Sequence, residues 1–377
     1  MEEVFGRGFF HCINFSKALM KNLKIVLLIV AGSFLAKAAC ANDGNFSIAP
    51  VGSVQLAFGY NTEVGASASG RLEHGQFLGS NHAISLSFAL SADEQAYDLM
   101  LRGGDADSVG PTFEYVLGHA SANRQSAFGL DTTESFFKPR AVYNYGLSRA
   151  FLGAVFSKDN VSNAFAAPAV LRAEVGERNL YGLSAGYSRE GGGGYYSASG
   201  EVLTSGDGIS FGKAELAARY KYNANQRGLV LEARFAAGTI GVMQGSTSVI
   251  DRFVPSSGAL RGFETGGFGS VDASGTHVGS TNYAVVSFGA HQNGLIASLP
   301  DLSIGAFVDL GSAWGFDSGG NSLRAQVYDA AKLRSSAGMS IGHNFGPGQI
   351  ELVAAFPLQH ESADRLQELQ LNFTTKF

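Results

Sequence analysis

Two pentapeptides match the G-x-S-x-G turn on which serine hydrolases carry their nucleophile: Gly182-Leu183-Ser184-Ala185-Gly186 and Gly338-Met339-Ser340-Ile341-Gly342. That chemistry needs a strained strand-to-helix turn and a histidine within reach. Both matches lie inside stretches where apolar and polar residues alternate, so both serines belong to strands. No convincing serine–histidine pair accompanies them, and the chain is not expected to be an enzyme. The eight histidines show no H-E-x-x-H spacing, so no metal site is read. Gly191–Gly194 is a glycine run without the Lys-Ser/Thr that completes a phosphate cradle. Both cysteines, Cys12 and Cys40, fall in a segment expected to be removed, which leaves no thiol nucleophile or thiolate ligand. No cofactor is expected. One stretch is different. Residues 240–282 form a connection too long to be a mere turn, and connections beyond about 12–15 residues are usually functional or disordered. It holds Arg252-Phe253 and Leu260-Arg261-Gly262-Phe263-Glu264.

The rest of the chain must be the frame for that segment. Lys21 and Lys24 precede an apolar run, 25–35, that is too short to span a bilayer as a helix, which takes about 20 residues. Ala39-Cys40-Ala41 then offers a small-x-small cleavage site. Residues 1–41 are read as an export signal that fits best from Met20, and 42–50 as a short periplasmic lead. An N-terminal anchor helix is the alternative, and the run is short for one. A lipoprotein site at Cys40 is disfavoured by Lys37, where an aliphatic residue is wanted. The remaining composition is unusual for a soluble protein: 50 Gly, 28 Phe and 13 Tyr, with charged residues only 16% against about 25% on average. After residue 41 there is no apolar run long enough for a membrane helix. The net charge of −5 gives no nucleic-acid footprint.

Alternation is the dominant pattern. Val54, Leu56 and Phe58, with Tyr60, oppose Ser53, Gln55, Gly59 and Asn61. At the other extreme Leu369, Leu371, Phe373 and Phe377 oppose Glu368, Gln370, Asn372, Thr374 and Lys376. A barrel in a membrane turns the first set to lipid and the second to the lumen. Runs of this kind, bounded by turn residues, predict sixteen strands over 51–377. They begin at 53–61 and end at 366–377, and include 137–147, 180–189 and 229–239. Fourteen is the alternative, because 104–200 is the least regular stretch. The fold class is therefore all-β, a transmembrane antiparallel barrel, with the long connection between strands 11 and 12. The luminal charges Arg71, Glu73, Asp98, Arg102, Glu215, Arg219, Glu232 and Arg234 are expected to pair within the wall.

Over 251–377 the sequence resembles the BamA/TamA and two-partner-secretion barrels of the Omp-eighty-five superfamily. Leu260-Arg261-Gly262-Phe263 looks like that family's loop motif. Ala306-Phe307-Val308-Asp309-Leu310 is similar to its F-x-D strand, Arg334-Ser335-Ser336-Ala337-Gly338 to the next strand, and Gly346-Pro347-Gly348 to the following turn. The resemblance implies that the loop folds into the lumen and that Arg261 pairs with Asp309. Strand parity agrees on one point: with Ile304, Ala306, Val308 and Leu310 facing lipid, Phe307 and Asp309 point inward. Two positions depart from the pattern. Gly289 stands where the family usually carries a second carboxylate for the arginine, and Thr374 where it often carries a glycine. The family's periplasmic modules have no room before the first strand, so a separate periplasmic chain is the expected partner, beside client outer-membrane proteins and outer-membrane lipid. The function implied is non-enzymatic insertion or translocation of proteins at a seam between strands 53–61 and 366–377. The alternative is a passive channel or structural barrel.

Overall fold

A computed structural model describes residues 52–376 apart from 62–64, 76–81, 104–109, 225–227, 295–297, 318–321 and 346–347. The expected export signal, the lead and Phe377 lie outside the described residues. Sixteen strands close into one antiparallel barrel: β1 Gly52–Asn61, β2 Gly65–His74, β3 His82–Leu90, β4 Glu94–Gly103, β5 Thr112–Arg124, β6 Leu130–Tyr145, β7 Ser148–Ser162, β8 Gly176–Gly191, β9 Gly194–Ser205, β10 Ser210–Asn223, β11 Leu229–Gln244, β12 Asn282–Asn293, β13 Leu302–Trp314, β14 Arg334–Phe345, β15 Gly348–Gln359 and β16 Leu369–Lys376. The count is the one the alternation predicts. Closure leaves no sheet edge in the hydrocarbon, where an unpaired backbone group is costly.

Side chains sort by parity. Phe113, Tyr115 and Leu117 on β5, and Leu216, Tyr220 and Tyr222 on β10, are exposed on the outer face. Tyrosines gather on the outer face at the end where β1 begins and β16 ends. Tyr143, Tyr145, Tyr187, Tyr196 and Tyr220 form a girdle there, as amphipathic rings do at a lipid headgroup level. Two connections at that end are two-residue turns, 146–147 and 192–193. Gly191–Gly194 is one of these turns, with Gly192 and Gly193 at positive φ. The opposite end carries the connections 163–175, 245–281 and 315–333. Short turns face the periplasm and long loops the exterior in such barrels, which orients the molecule.

Several boundaries differ from expectation for a common reason. β6 starts at Leu130 and β8 at Gly176, well before 137 and 180, and β11 runs on to Gln244, past 239, so that the long connection is 245–281 rather than 240–282. These extensions rise past the lipid belt, where neither face needs to be apolar and the alternation fades. The last run also divides. Leu366–Gln367 pairs with Gly262–Phe263 of the long loop, and β16 begins only at Leu369.

The exterior mouth is packed rather than open. Phe128, Val161, Leu171, Val249, Val278, Phe316 and Val327 form one buried apolar cluster. Its members come from β6–β7 and their loops on one wall and from the β13–β14 connection, nearly opposite in a sixteen-strand ring. The cluster therefore spans the mouth, with the long loop at its middle.

Candidate functional site

The loop 245–281 descends from that cluster to the inner wall. Arg261 sits at its turning point, and Gly262 follows at φ +94°, a conformation that only glycine adopts without strain. Phe263 is fully buried, in a cluster with Leu260, Phe268 and Val285, and meets Phe268 edge to face at 5.6 Å. Asp309 projects inward from β13 and is 0% exposed. Arg261 grips it as a fork: Nε donates to Oδ2 at 2.7 Å and Nη2 to Oδ1 at 2.6 Å. The Arg261 backbone N–H donates to the same carboxylate at 3.1 Å. A planar guanidinium matches a carboxylate in this way and an ammonium does not. Beneath the guanidinium lies the Phe307 ring, 3.4 Å from its central carbon to the ring centroid. Gly338 on β14 makes room for that ring, since a Cβ there would run into it.

The position of Gly289 leaves Arg261 without a second carboxylate. Ser287, two residues earlier on the same inner face, accepts a hydrogen bond from Arg261 Nη2 at 2.8 Å. A serine carries no pattern to single it out in a strand, and the sequence gives no hint of its part here.

Three further anchors hold the loop, each built from a carboxylate that sequence spacing does not reveal. Arg252 is fully buried and donates to Glu174 at 2.7 Å, to the Val278 carbonyl at 2.8 Å and to the Thr247 carbonyl at 3.1 Å. Its guanidinium lies 4.6 Å from the Phe316 ring centroid and 3.9 Å from a second buried carboxylate, Asp317, which accepts a hydrogen bond from the Thr247 backbone N–H at 2.6 Å. Burial pushes the Glu174 carboxyl up despite the guanidinium beside it. Arg178 on β8 forks onto Asp251 with two bonds of 2.6 Å and reaches Asp159 on β7 at 2.8 Å. On the far side the loop meets the connection 360–368 through the Gly262–Phe263 ladder and the ion pair of Glu264 with Arg365 at 3.3 Å.

His277 belongs to this last anchor. Its Nε2 meets the Ala363 carbonyl at 3.1 Å, while Nδ1 is buried without a hydrogen-bond partner among the described residues. Arg365, Asp364 and Arg334 are the charged groups around it. A second ring proton would have no acceptor, and burial, with Arg365, lowers the pKa from 6.5 to about 4. A depressed histidine pKa means that the unfolded chain takes up the proton first. The neutral ring's contribution is complete above pH 6.5 and is lost as pH falls toward about 4, on the order of 3 kcal/mol over that window. Loop docking should therefore weaken between pH 6.5 and about 4, followed by amide exchange at Val278, and His277→Gln should flatten that dependence. An unchanged pH profile in His277→Gln would refute the assignment.

The seam joins β1 to β16. Val54 and Phe58 of β1 and Leu369 of β16 are exposed on the outer face, with Leu56, Leu371 and Phe373 in the same parity. Among the described residues the ladder between these strands covers only Ala57–Asn61 against Asn372–Lys376. On its other side β1 is paired along its whole length, Gly52–Asn61 against Gly65–His74. Gly59 allows the close approach at the seam, because a Cβ there would press on the Phe373 carbonyl oxygen.

The hydrolase-like serines have no such setting. Ser184 faces Gly153 and Glu201 across the sheet, and Ser340 faces Gly305 and Val353. Most luminal charges do pair locally, as Arg71 does with Glu73 at 2.7 Å. Asp98, Arg102 and Arg234 depart from the expected pairing: among the described residues none of them has an ion partner, and the Arg234 side chain meets only the Ser287 hydroxyl, at 3.1 Å.

A closed sixteen-strand barrel with a tyrosine girdle and a long exterior loop pinned inside its lumen defines an outer-membrane β-barrel. The chain belongs to the Omp85 superfamily, whose domain model matches residues 76–377. Among solved structures it is similar to BamA from Haemophilus ducreyi lacking POTRA domains 1–3, with a TM-score of 0.73 and 15% identity over 87% of this chain and 70% of that one. It is also similar to CdiB from Acinetobacter baumannii (TM-score 0.53, 13% identity) and from Escherichia coli (0.55, 13%), covering 88% of this chain in each case. It spans 60% and 64% of the length of those two CdiB chains. No curated protein matches the sequence.

Proposed function

We propose that this barrel inserts or translocates proteins at the outer membrane through the seam between β1 and β16. The observation that carries the reading is the short seam ladder, Ala57–Asn61 against Asn372–Lys376, the least paired join in the closed sheet among the described residues. A strand edge freed there presents N–H and C=O groups as a template for a client strand. The packed mouth weighs against a passive channel, since Phe128, Leu171 and Phe316 fill the exterior opening with apolar side chains. Client outer-membrane proteins and a separate periplasmic chain are the proposed partners. Residues 1–41 are proposed to direct export and then to be removed. The role is non-enzymatic.

The test locks the seam. Tyr60→Cys with Phe373→Cys joins residues directly opposed across it, at a cross-strand separation that a disulfide accepts. Phe58→Cys with Ala68→Cys locks β1 to β2 as a control. In proteoliposomes, folding of a urea-denatured β-barrel client is followed by its gel shift. The seam lock should abolish acceleration, reduction should restore it, and the control lock should leave it intact. Equal acceleration by the seam-locked protein would favour the channel or structural alternative.

A further inference from the structure

On the periplasmic side of the loop, strands β8–β12 line a half-open cavity of about 450 Å³. Its wall carries small apolar side chains, Ala217, Ala236 and Val285, with Ala259 of the loop above them. One residue pair nearer the periplasmic end, Arg219 and Arg234 stand directly opposite each other in register across β10 and β11. Like charges at directly opposed positions destabilise a sheet. Among the described residues nothing on the wall offsets this pair fully: the ion partner of Arg219 is Glu190, at 4.0 Å, and Arg234 has the Ser287 hydroxyl. That hydroxyl is shared with Arg261, whose own carboxylate, Asp309, is already taken up by a two-bond fork. Three guanidiniums thus converge on one level of the lumen with two carboxylates, one of them at the rim. A sheet that breaks a local rule with only partial compensation is expected to do so at a working site.

We propose that Arg219 and Arg234 form a binding site for a carboxylate carried by a polypeptide segment entering from the periplasmic end. The charges would supply the fork-to-carboxylate contact, and the alanine and valine wall would take the short apolar part of the segment. This deepens the reading of the barrel as one that handles polypeptides. Its assay involves no client folding, so it succeeds or fails apart from the seam experiment.

The full barrel in detergent micelles is titrated with a fluorescent, end-blocked hexapeptide bearing two aspartates. The expected result is salt-sensitive binding, at least tenfold weaker in Arg234→Gln and in Arg219→Gln, and at least tenfold weaker for the peptide with asparagines instead. A peptide without aspartate but with a free C-terminus separates the sources. Equal affinity for it would assign the recognised carboxylate to a chain end, and weaker binding would assign it to acidic side chains. Retained heat-modifiable mobility shows that each variant is folded. Arg219→Gln without ligand should also raise the melting temperature, because it relieves the repulsion. Binding unchanged by both substitutions, equal binding of the aspartate and asparagine peptides, displacement by inorganic phosphate at equal concentration, or a melting temperature lowered by Arg219→Gln would each overturn the proposal.

Discussion

Asp309→Ala should release the loop from the lumen while leaving the barrel closed. The carboxylate accepts three hydrogen bonds from Arg261 and is shut off from solvent. Its loss strands a guanidinium against a ring and a single hydroxyl, and breaking one side of a buried pair costs about 3–5 kcal/mol. Arg261 keeps some solvent contact, 19% of its side chain, so the lower part of that range applies. At about 3 kcal/mol the population of released loop rises roughly a hundredfold. Arg261→Ala should do the same, and the double substitution should be little worse than either single one, since both remove one interaction. Arg261→Lys should not rescue, because one ammonium cannot form the fork. The measurement is labelling of Ser257→Cys by a membrane-impermeant maleimide in intact cells, with Cys12 and Cys40 replaced by serine. Ser257 is buried in the loop, and Phe165→Cys, on an exposed exterior loop, sets the open rate. Wild-type Ser257→Cys labelling as fast as Phe165→Cys, or no acceleration by Asp309→Ala, would remove the claim that this pair holds the loop.

Arg252→Ala should have an effect of similar size at the other end of the loop. Its guanidinium hydrogen-bonds one carboxylate and two backbone carbonyls, and lies 3.9 Å from a second carboxylate, Asp317, in a site from which water is excluded. Deletion leaves those acceptors buried and opens a cavity beside Phe316, again about 3–5 kcal/mol. Glu174, already pushed up by burial, would relieve part of this by taking a proton. Arg252→Met with Glu174→Gln should therefore recover part of the loss, because volume is kept and one of the two carboxylates is neutralised, while the Asp317 carboxylate keeps, among the described residues, only its hydrogen bonds from Thr247. Amide exchange at Val249, whose N–H donates to Glu174 at 2.7 Å, should accelerate about a hundredfold or more in Arg252→Ala. Heat-modifiable mobility should persist, since the wall strands are untouched. Unaltered exchange at Val249 would show that the apolar cluster alone holds the mouth.

The strand count was legible because lipid on one side and water on the other enforce a two-residue period on every membrane-crossing segment. Legibility ended where that constraint ends. Leu130–Phe136 and Gly176–Asn179 are paired above the lipid belt with no need to alternate. The Arg261–Asp309 contact is what the family resemblance of the Leu260–Phe263 and Phe307–Asp309 segments implies, and inward parity on β13 agrees for Asp309. Glu174, Asp251 and Asp317 carry no such mark. Their environment is created by loops packing on loops, across 78 residues in the case of Glu174 and Arg252, and no local spacing encodes it. Ser287 was illegible for a different reason: it took over part of the work of an absent carboxylate from two positions away.

The short ladder of Gly262–Phe263 with Leu366–Gln367 makes the barrel a machine with linked parts. One residue separates that ladder from the first residue of β16. A sideways excursion of β16 must pull on the backbone next to Arg261, and a released loop must slacken the tether on β16. The lumen and the membrane-facing join thus share one mechanical linkage. Thermodynamic reciprocity then fixes the balance: the factor by which undocking the loop favours an open join equals the factor by which an open join favours undocking. An agent that glues the loop to the wall from outside the cell would stiffen a join it never touches.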